Sequence, residues 1–383
     1  MKSMNFPILI SKYTILVFLI TVLLVSGCIN DTGNLSPSSA KDNQNKTSDH
    51  PTQLTSNDIE EKEPIMSGSN IVFYTNEQFS NDVSFYLLNK DSKKLTFLAN
   101  GNAIWSVVPF DFDSGKLVWA KSENYNVAGF DSLYVLDVEK INSPQGTMFS
   151  TDVKVKLNIT SSTKVAPQIY GNYVVWHDGR DAGIYHVYLY DLVTNTEKRI
   201  SDSPSKQVMP SIWNDYIAWE DSRERTASDP QIGGNIYYKK FDQGQEQQAT
   251  SSFSSLNPKV AGSYIFYGDY RDNCDGHQTD CIEKYDIFIY DINNKRETKI
   301  FKNSGSSAND VYLRASDKYA GWKISDSSGN VKIYLYNMAA GKTFQLKEDG
   351  IVDFDIDGNA IVFSKKVDGK TELFYSKISY YEQ

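Results

Sequence analysis

One fixed offset recurs along this 383-residue chain: a proline or large apolar residue stands nine positions before an aromatic that closes an apolar run. The pairs are Pro64/Phe73, Phe110/Trp119, Pro167/Trp176, Pro210/Trp219, Pro258/Tyr267, Leu313/Trp322 and Phe354/Phe363. Successive aromatics lie 41 to 57 residues apart, the spacing of propeller blades rather than of helical repeats. A unit of this size cannot shield its own apolar side, so seven copies must stack against one another.

Each aromatic is followed by a variable segment and then by an aliphatic residue beside a second aromatic: Phe85-Tyr86, Leu133-Tyr134, Val187-Tyr188, Ile236-Tyr237, Ile287-Phe288, Ile333-Tyr334 and Leu373-Phe374. These read as third strands. In the clearest copy Pro167–Tyr170 is strand a, Tyr173–Trp176 strand b, His186–Tyr190 strand c and Lys198–Ile200 strand d, with a c–d turn over Asp191–Thr196. No window holds a 3.6-residue apolar period for three turns, and aromatics make up 13% of the chain, a bias toward pleated, half-buried surfaces. The expected fold is all-β: a seven-bladed propeller of four-stranded antiparallel blades over residues 52–383.

An open sheet edge offers unpaired N–H and C=O groups to other chains, so a ring of strands gains from closure. The seventh repeat supplies strands a, b and c and no d. Thr52-Gln53-Leu54-Thr55 has the character of a d strand, and Leu54 precedes Pro64 by ten residues, as Leu157 precedes Pro167 and Ile200 precedes Pro210. The N-terminal strand is therefore expected to complete the last blade.

The repeats resemble TolB-type propeller repeats of exported prokaryotic proteins. The resemblance rests on Phe110-Asp111-Phe112-Asp113-Ser114-Gly115 with Val118-Trp119, on Phe354-Asp355-Ile356-Asp357-Gly358 with Val362-Phe363, and on Val187-Tyr188-Leu189-Tyr190-Asp191. It covers about residues 52–383 and implies a partner-binding ring of blades around a narrow channel. It is nearly silent on function, since this fold hosts scaffolds, receptors, lyases and hydrolase lids.

The first residues bear on compartment. Lys2 and Lys12 flank an apolar stretch from Tyr13 to Val25 that runs into Ser26-Gly27-Cys28, the layout of an export signal. Val25-Ser26-Gly27-Cys28 resembles a lipobox. That resemblance implies removal of residues 1–27, lipid on the Cys28 thiol, and an anchor at the outer face of a membrane; the other reading, an uncleaved anchor helix, also exports the domain. Residues 28–51 then form a polar tether with too few apolar side chains to order itself. Loss of two lysines and no acid moves the formal charge from −9 to −11, and an acidic surface argues against nucleic acid as a partner. A monomer is expected. Asn34, Asn45 and Asn158 begin glycosylation acceptor patterns, a weak signal.

With Cys28 assigned to lipid, Cys274 and Cys281 remain. In an oxidising compartment a disulfide is the default; metal ligation and free thiols stay open. The loop that carries them, Asp272 to Glu283, is rich in oxygen ligands, including Asp275 and Asp280, but lacks the alternate spacing and terminal bidentate Glu of an EF-hand calcium loop.

Blades three, four and five end strand b with one signature: Asp178 and Arg180 after Trp176, Asp221 and Arg223 after Trp219, Asp269 and Arg271 after Tyr267. These pairs are expected on the rim where strands b end and strands c begin. One reading is structural, with each Asp bonding its own turn and each Arg pairing with the next blade's carboxylate. The other is a ligand-facing patch of ordered donor forks. From the strand b to the strand c aromatic takes 18 and 21 residues in blades four and five, against 11 to 15 elsewhere, and long loops on a rigid scaffold are where binding concentrates. His177, His186 and His277 do not form an obvious metal cluster, and no Gly-x-Ser-x-Gly elbow is present. The expectation is a non-enzymatic, cofactor-free surface propeller that binds a protein, peptide or glycan on this rim. The alternative is a propeller hydrolase or lyase acting on polysaccharide.

Overall fold

A computed structural model describes residues 50–57, 59–76, 81–103, 108–123, 129–141, 154–157, 162–225, 233–272, 284–303, 311–325, 328 and 330–382. Cys28, Cys274, Cys281, His277 and the three acceptor asparagines lie outside the described residues, as does the unit Met1–Thr47. Within Ser48–Gln383 the strands form seven separate four-stranded antiparallel sheets, each a blade. The innermost strands are Lys62–Ser67, Phe110–Asp113, Lys164–Tyr170, Gln207–Trp213, Ser255–Ala261, Tyr312–Ala315 and Ile351–Asp357.

The repeat aromatics explain why blades stack. All seven strand b aromatics have no accessible surface. Each pairs across the ladder with the strand c aromatic of its own blade, from Phe73 opposite Tyr86 to Phe363 opposite Phe374. Six of these pairs stack with ring planes 9 to 22° apart. The marker residues nine positions earlier, Pro64 to Phe354, are buried in all seven copies. Apolar clusters run from one blade to the next: Leu117, Trp119 and Phe110 of blade two pack on Phe85 and Leu87 of blade one.

Proline fits the innermost strand because that strand has no ladder partner on the channel side. The residues just before the four marker prolines, Glu63, Ala166, Met209 and Asn257, have φ between 46 and 51°. At each place the register with strand b slips. These are β-bulges, an added residue that bends the strand and turns a backbone N–H away from its own sheet. In two blades the preceding blade takes up that N–H: Met209 donates to Nδ1 of His177 at 3.3 Å and Asn257 to Oε1 of Glu220 at 2.7 Å.

The two Asp-x-Asp motifs act between blades. Asp111 and Asp113 accept N–H bonds from Ile169 and Gly171 of blade three at 2.9 and 2.7 Å. Asp355 and Asp357 accept from Met66 and Gly68 of blade one at 2.8 and 2.7 Å. The second pair crosses the seam of the ring.

Closure follows the expected path. Thr52–Gln53 pairs antiparallel with Lys370–Lys377, Thr52 opposite Tyr375 and Gln53 opposite Phe374, as the outer strand of blade seven. The Leu54 N–H reaches Leu373 O at 2.7 Å, and the Leu373 N–H returns to Thr55 Oγ1 at 2.8 Å. Leu54, Met66, Ile71 and Phe73 pack with Val362 and Leu373 in one cluster across the seam.

Candidate functional site

The three Asp–Arg pairs form one repeated construction. Asp178, Asp221 and Asp269 are buried at the end of strand b. One oxygen of each accepts the N–H of the Arg two residues on, at 3.0, 2.8 and 2.8 Å, closing the turn. The other accepts from that Arg's guanidinium at 2.8, 2.6 and 2.7 Å. Trp176 and Trp219 add indole N–H bonds to Asp178 and Asp221 at 3.0 Å. Each guanidinium also binds a glutamate of strand d or its approach, Glu197, Glu246 or Glu297. It lies over the strand c aromatic, 4.0, 4.0 and 4.5 Å from the centroids of Tyr188, Tyr237 and Phe288.

Every Arg partner therefore belongs to its own blade, not to the next one. The reason is reach: the guanidinium stacks on strand c and ends over strand d, so the outer edge of its own sheet supplies the second carboxylate. Burial, the largest single influence, would raise the carboxyls of Asp178 and Asp269, but the arginine bond together with those from Ser162 and Trp176 at Asp178, and from Ser255 and Ser254 at Asp269, outweighs it and holds both below the usual range. The modules present a rigid rim with the arginine side chains 15 to 28% exposed.

Beside the blade-four module is a cleft of about 240 Å³ lined by Lys206, Val208, Glu220, Ser222, Gly233 and Gly234. Its floor is tight: a Cβ on Gly234 would stand 2.6 Å from the Asp221 carbonyl oxygen, so only glycine fits where strand c enters. Burial pushes the Glu220 carboxyl up to about 7. Neighbouring His177 is pushed down to about 3, by burial and then by the Lys206 charge. It is a neutral imidazole whose Nδ1 accepts the Met209 N–H, leaving the proton on Nε2. Met209 and Ile184 are exposed apolar side chains on the same rim.

The central channel is a second constellation, which the sequence reading did not single out. Its lining comes from the residue after each marker and the two that follow, the halves of the inner strands that lead into the a–b turns. That first position is Asp111, Gln168, Ser211, Lys259, Arg314 and Asp355 in blades two to seven, with Ile65 in blade one. The signal was available: a strand buried at the centre of a ring has no reason to carry four charges one residue past its marker unless they face a cavity.

Arg314 Nε lies 3.3 Å from Asp355 Oδ1. Burial pushes Asp355 up to about 6 and also raises Asp111. Lys259 is pushed down to about 8, chiefly by burial and next by the Arg314 charge. Toward the opposite face, Tyr312 carries the guanidinium of Arg314 and the ammonium of Lys323, each 4.3 Å from its ring centroid. Lys323 pairs with Asp353 at 2.5 Å. Among the described residues no group of three His, Cys, Asp or Glu side chains could hold a metal ion.

No protein-family model and no curated protein sequence matches this chain. Solved structures do. The β-propeller domain of the trilobed protease from Pyrococcus furiosus aligns with a TM-score of 0.59 at 14% identity, over 85% of this chain and 99% of that one. That domain is described as an open-velcro propeller, whereas here Thr52–Gln53 completes the last blade. An oligogalacturonate lyase in complex with manganese aligns at 0.54 and 14% identity, over 85% of this chain and 92% of that one. A TolB-like protein from Agrobacterium tumefaciens aligns at 0.48 and 13% identity, over 78% and 99%. At such identities the first two likenesses bear on the fold alone, in agreement with the seven four-stranded sheets: the chain is a seven-bladed β-propeller.

Proposed function

We propose that this chain is a partner-binding propeller, lipid-anchored through Cys28 at the outer face of a membrane, and that it captures a protein or peptide on the b–c rim of blades three to five. The observation that carries this reading is the combination found on that rim. Three Asp–Arg–Glu modules of one design lock adjacent strand ends. Beside them lie a cleft, a cation at Lys206 and exposed apolar side chains at Met209 and Ile184. A rigid support with a few mixed apolar and charged side chains loses little entropy on docking. The modules supply the rigidity and the residues between them the contact, so Asp178, Arg180, Asp221, Arg223, Asp269 and Arg271 act in binding through their Arg edges and by positioning the loops.

The test is capture from detergent-solubilised envelope fractions by the full chain, compared with a Lys206→Glu/Met209→Asp double variant. Aspartate tolerates the positive φ at 209, so the fold is expected to survive with its unfolding midpoint unchanged. Capture of the specific partner should weaken by about tenfold or more. Equal capture by both proteins would overturn the rim. Turnover of a polysaccharide by the wild-type chain, lost in Glu220→Gln, would replace the binding reading with a lyase or hydrolase.

A further inference from the structure

The channel opens on the face opposite that rim. Its lining residues are the last three of each inner strand or the turn beyond, Ser67, Asp113, Tyr170, Trp213, Ser316 and Asp357 among them, so the cavity of about 140 Å³ faces the a–b turns. The b–c loops lie at the other ends of these strands. Whatever enters here does so independently of the rim.

The polar groups around the cavity are unequally engaged. Asp111, Asp113, Asp355 and Asp357 each accept a backbone N–H from the following blade, and Asp355 also holds Arg314. On blades five and six the balance is reversed. The Lys259 ammonium makes no hydrogen bond or ion pair with the described residues, although three N–H donors point from a partly buried stem. Arg314 engages one carboxylate edge and the Leu313 carbonyl, the latter at 3.4 Å. Two cations on adjacent blades therefore face one cavity with donors left over; the charges of Asp111 and Asp355 ease them, but those carboxylates are committed to backbone N–H groups of blades three and one, so the spare donors still await an acceptor.

We infer that this half of the channel is a carboxylate-binding site, in which Lys259 and Arg314 together receive the anionic head of a small organic acid. The cavity limits the guest. A water occupies about 30 Å³ of liquid, so the space accepts a carboxylate and a handful of further heavy atoms, not a folded chain segment. At the mouth Tyr170 and Trp213 stand with ring centroids 5.3 Å apart, and both are partly exposed. They offer an aromatic wall to an apolar or aromatic tail. Asp113 and Asp357 at the same mouth disfavour a second carboxylate, so a monocarboxylate is the class selected.

Protonation gives the site a signature. Free Lys259 sits near 8, and an anion bound between it and Arg314 would raise it, so binding takes up a proton above that pH. Affinity should fall by up to about tenfold per pH unit above 8 as Lys259 loses its proton, and strengthen below about 6 as the Asp355 carboxyl beside Arg314 takes one up.

The experiment is calorimetric titration of the purified full chain in detergent with phenylacetate, and with phenylacetamide as the uncharged control. The expected result is saturable binding of phenylacetate only, weakened about tenfold or more in Lys259→Met and largely retained in Lys259→Arg. Because the Lys259 ammonium makes no hydrogen bond or ion pair with the described residues, and burial and the Arg314 charge outweigh the pull of Asp111 and Asp355 on it, Lys259→Met should leave the ligand-free unfolding midpoint unchanged or raised. That separates loss of a site from loss of the fold. Binding of the amide as tightly as the acid would overturn the proposal. So would unchanged phenylacetate affinity in Lys259→Met, or absence of saturation by phenylacetate in the wild-type chain.

Discussion

Residue by residue, the modules on blades three to five are where a small change reaches furthest. Asp221 accepts from the Trp219 indole, the Arg223 N–H and the Arg223 guanidinium, all from a position nearly closed to water. In Asp221→Ala the indole loses its partner in the core and Arg223 keeps Glu246 and its stacking on Tyr237. The cost should be about 2–3 kcal/mol, below that of a fully buried pair because Arg223 is partly exposed. A urea unfolding curve checks it: a cost under about 0.5 kcal/mol, the range of an ordinary surface change, would mean that the module is decoration. The Asp and Arg positions were legible in the sequence because they repeat at fixed distance from the strand b aromatic. Their second partners were not. Glu197, Glu246 and Glu297 sit on short, charged outer segments, and nothing local says which blade a long guanidinium will turn toward. The same holds for Lys259 and Arg314, which look like ordinary surface charges until the ring brings seven inner strands together.

Single strands tell a similar story one level up. The offset of nine survives in the structure as a marker buried between blades and an aromatic opposed to its strand c counterpart, because both positions answer to packing. The bulges before Pro64, Pro167, Pro210 and Pro258 answer to backbone geometry instead, and proline alone does not reveal that the preceding residue will adopt positive φ. Closure was readable because Leu54 keeps the ten-residue distance seen at Leu157 and Ile200. The two-residue strand Thr52–Gln53 is too short to hold by itself, so the bonds beyond it matter. Thr55 Oγ1 accepts the Leu373 N–H in a site closed to water. Thr55→Val keeps the shape and removes the acceptor, leaving a buried N–H unsatisfied, a cost of about 1–3 kcal/mol. Hydrogen exchange at Leu373 should accelerate more than at Phe363 one strand inward. Equal changes at both amides would show that the clasp is no weaker a link than the rest of the blade.

Seen as one ring, the molecule has its seam between blades seven and one, and the seam contains two carboxyls with little to neutralise them. Glu61 and Glu372 are both buried, and Asn57 bridges them, its side-chain amide donating to Glu61 Oε1 at 3.1 Å and its N–H to Glu372 Oε1 at 3.3 Å. The Oε2 atom of each has no hydrogen-bond partner among the described residues. Lys365 faces Glu372 across the ladder, but its ammonium binds Glu348 at 2.8 Å. Burial above all, with the Glu372 charge adding to it, pushes the Glu61 carboxyl up to about 7. A carboxyl raised on folding is protonated in the native ring over a pH range where the unfolded chain has already lost the proton. The native state then binds more protons than the unfolded one, and stability falls as pH rises from about 4.5 to about 7. His177, lowered on folding, has the opposite slope between about 3 and 6.5, so as pH rises the two offset each other between about 4.5 and 6.5, with His177 alone adding stability below that range and Glu61 alone removing it above, and the ring should be most stable in mildly acidic solution. Glu61→Gln isolates the seam, because an amide keeps the shape and cannot ionise. The variant should match the wild-type unfolding midpoint near pH 5 and exceed it at pH 8, where the wild-type chain carries the buried charge. Midpoints that fall in parallel for both proteins between those two pH values would place the lost stability elsewhere in the ring.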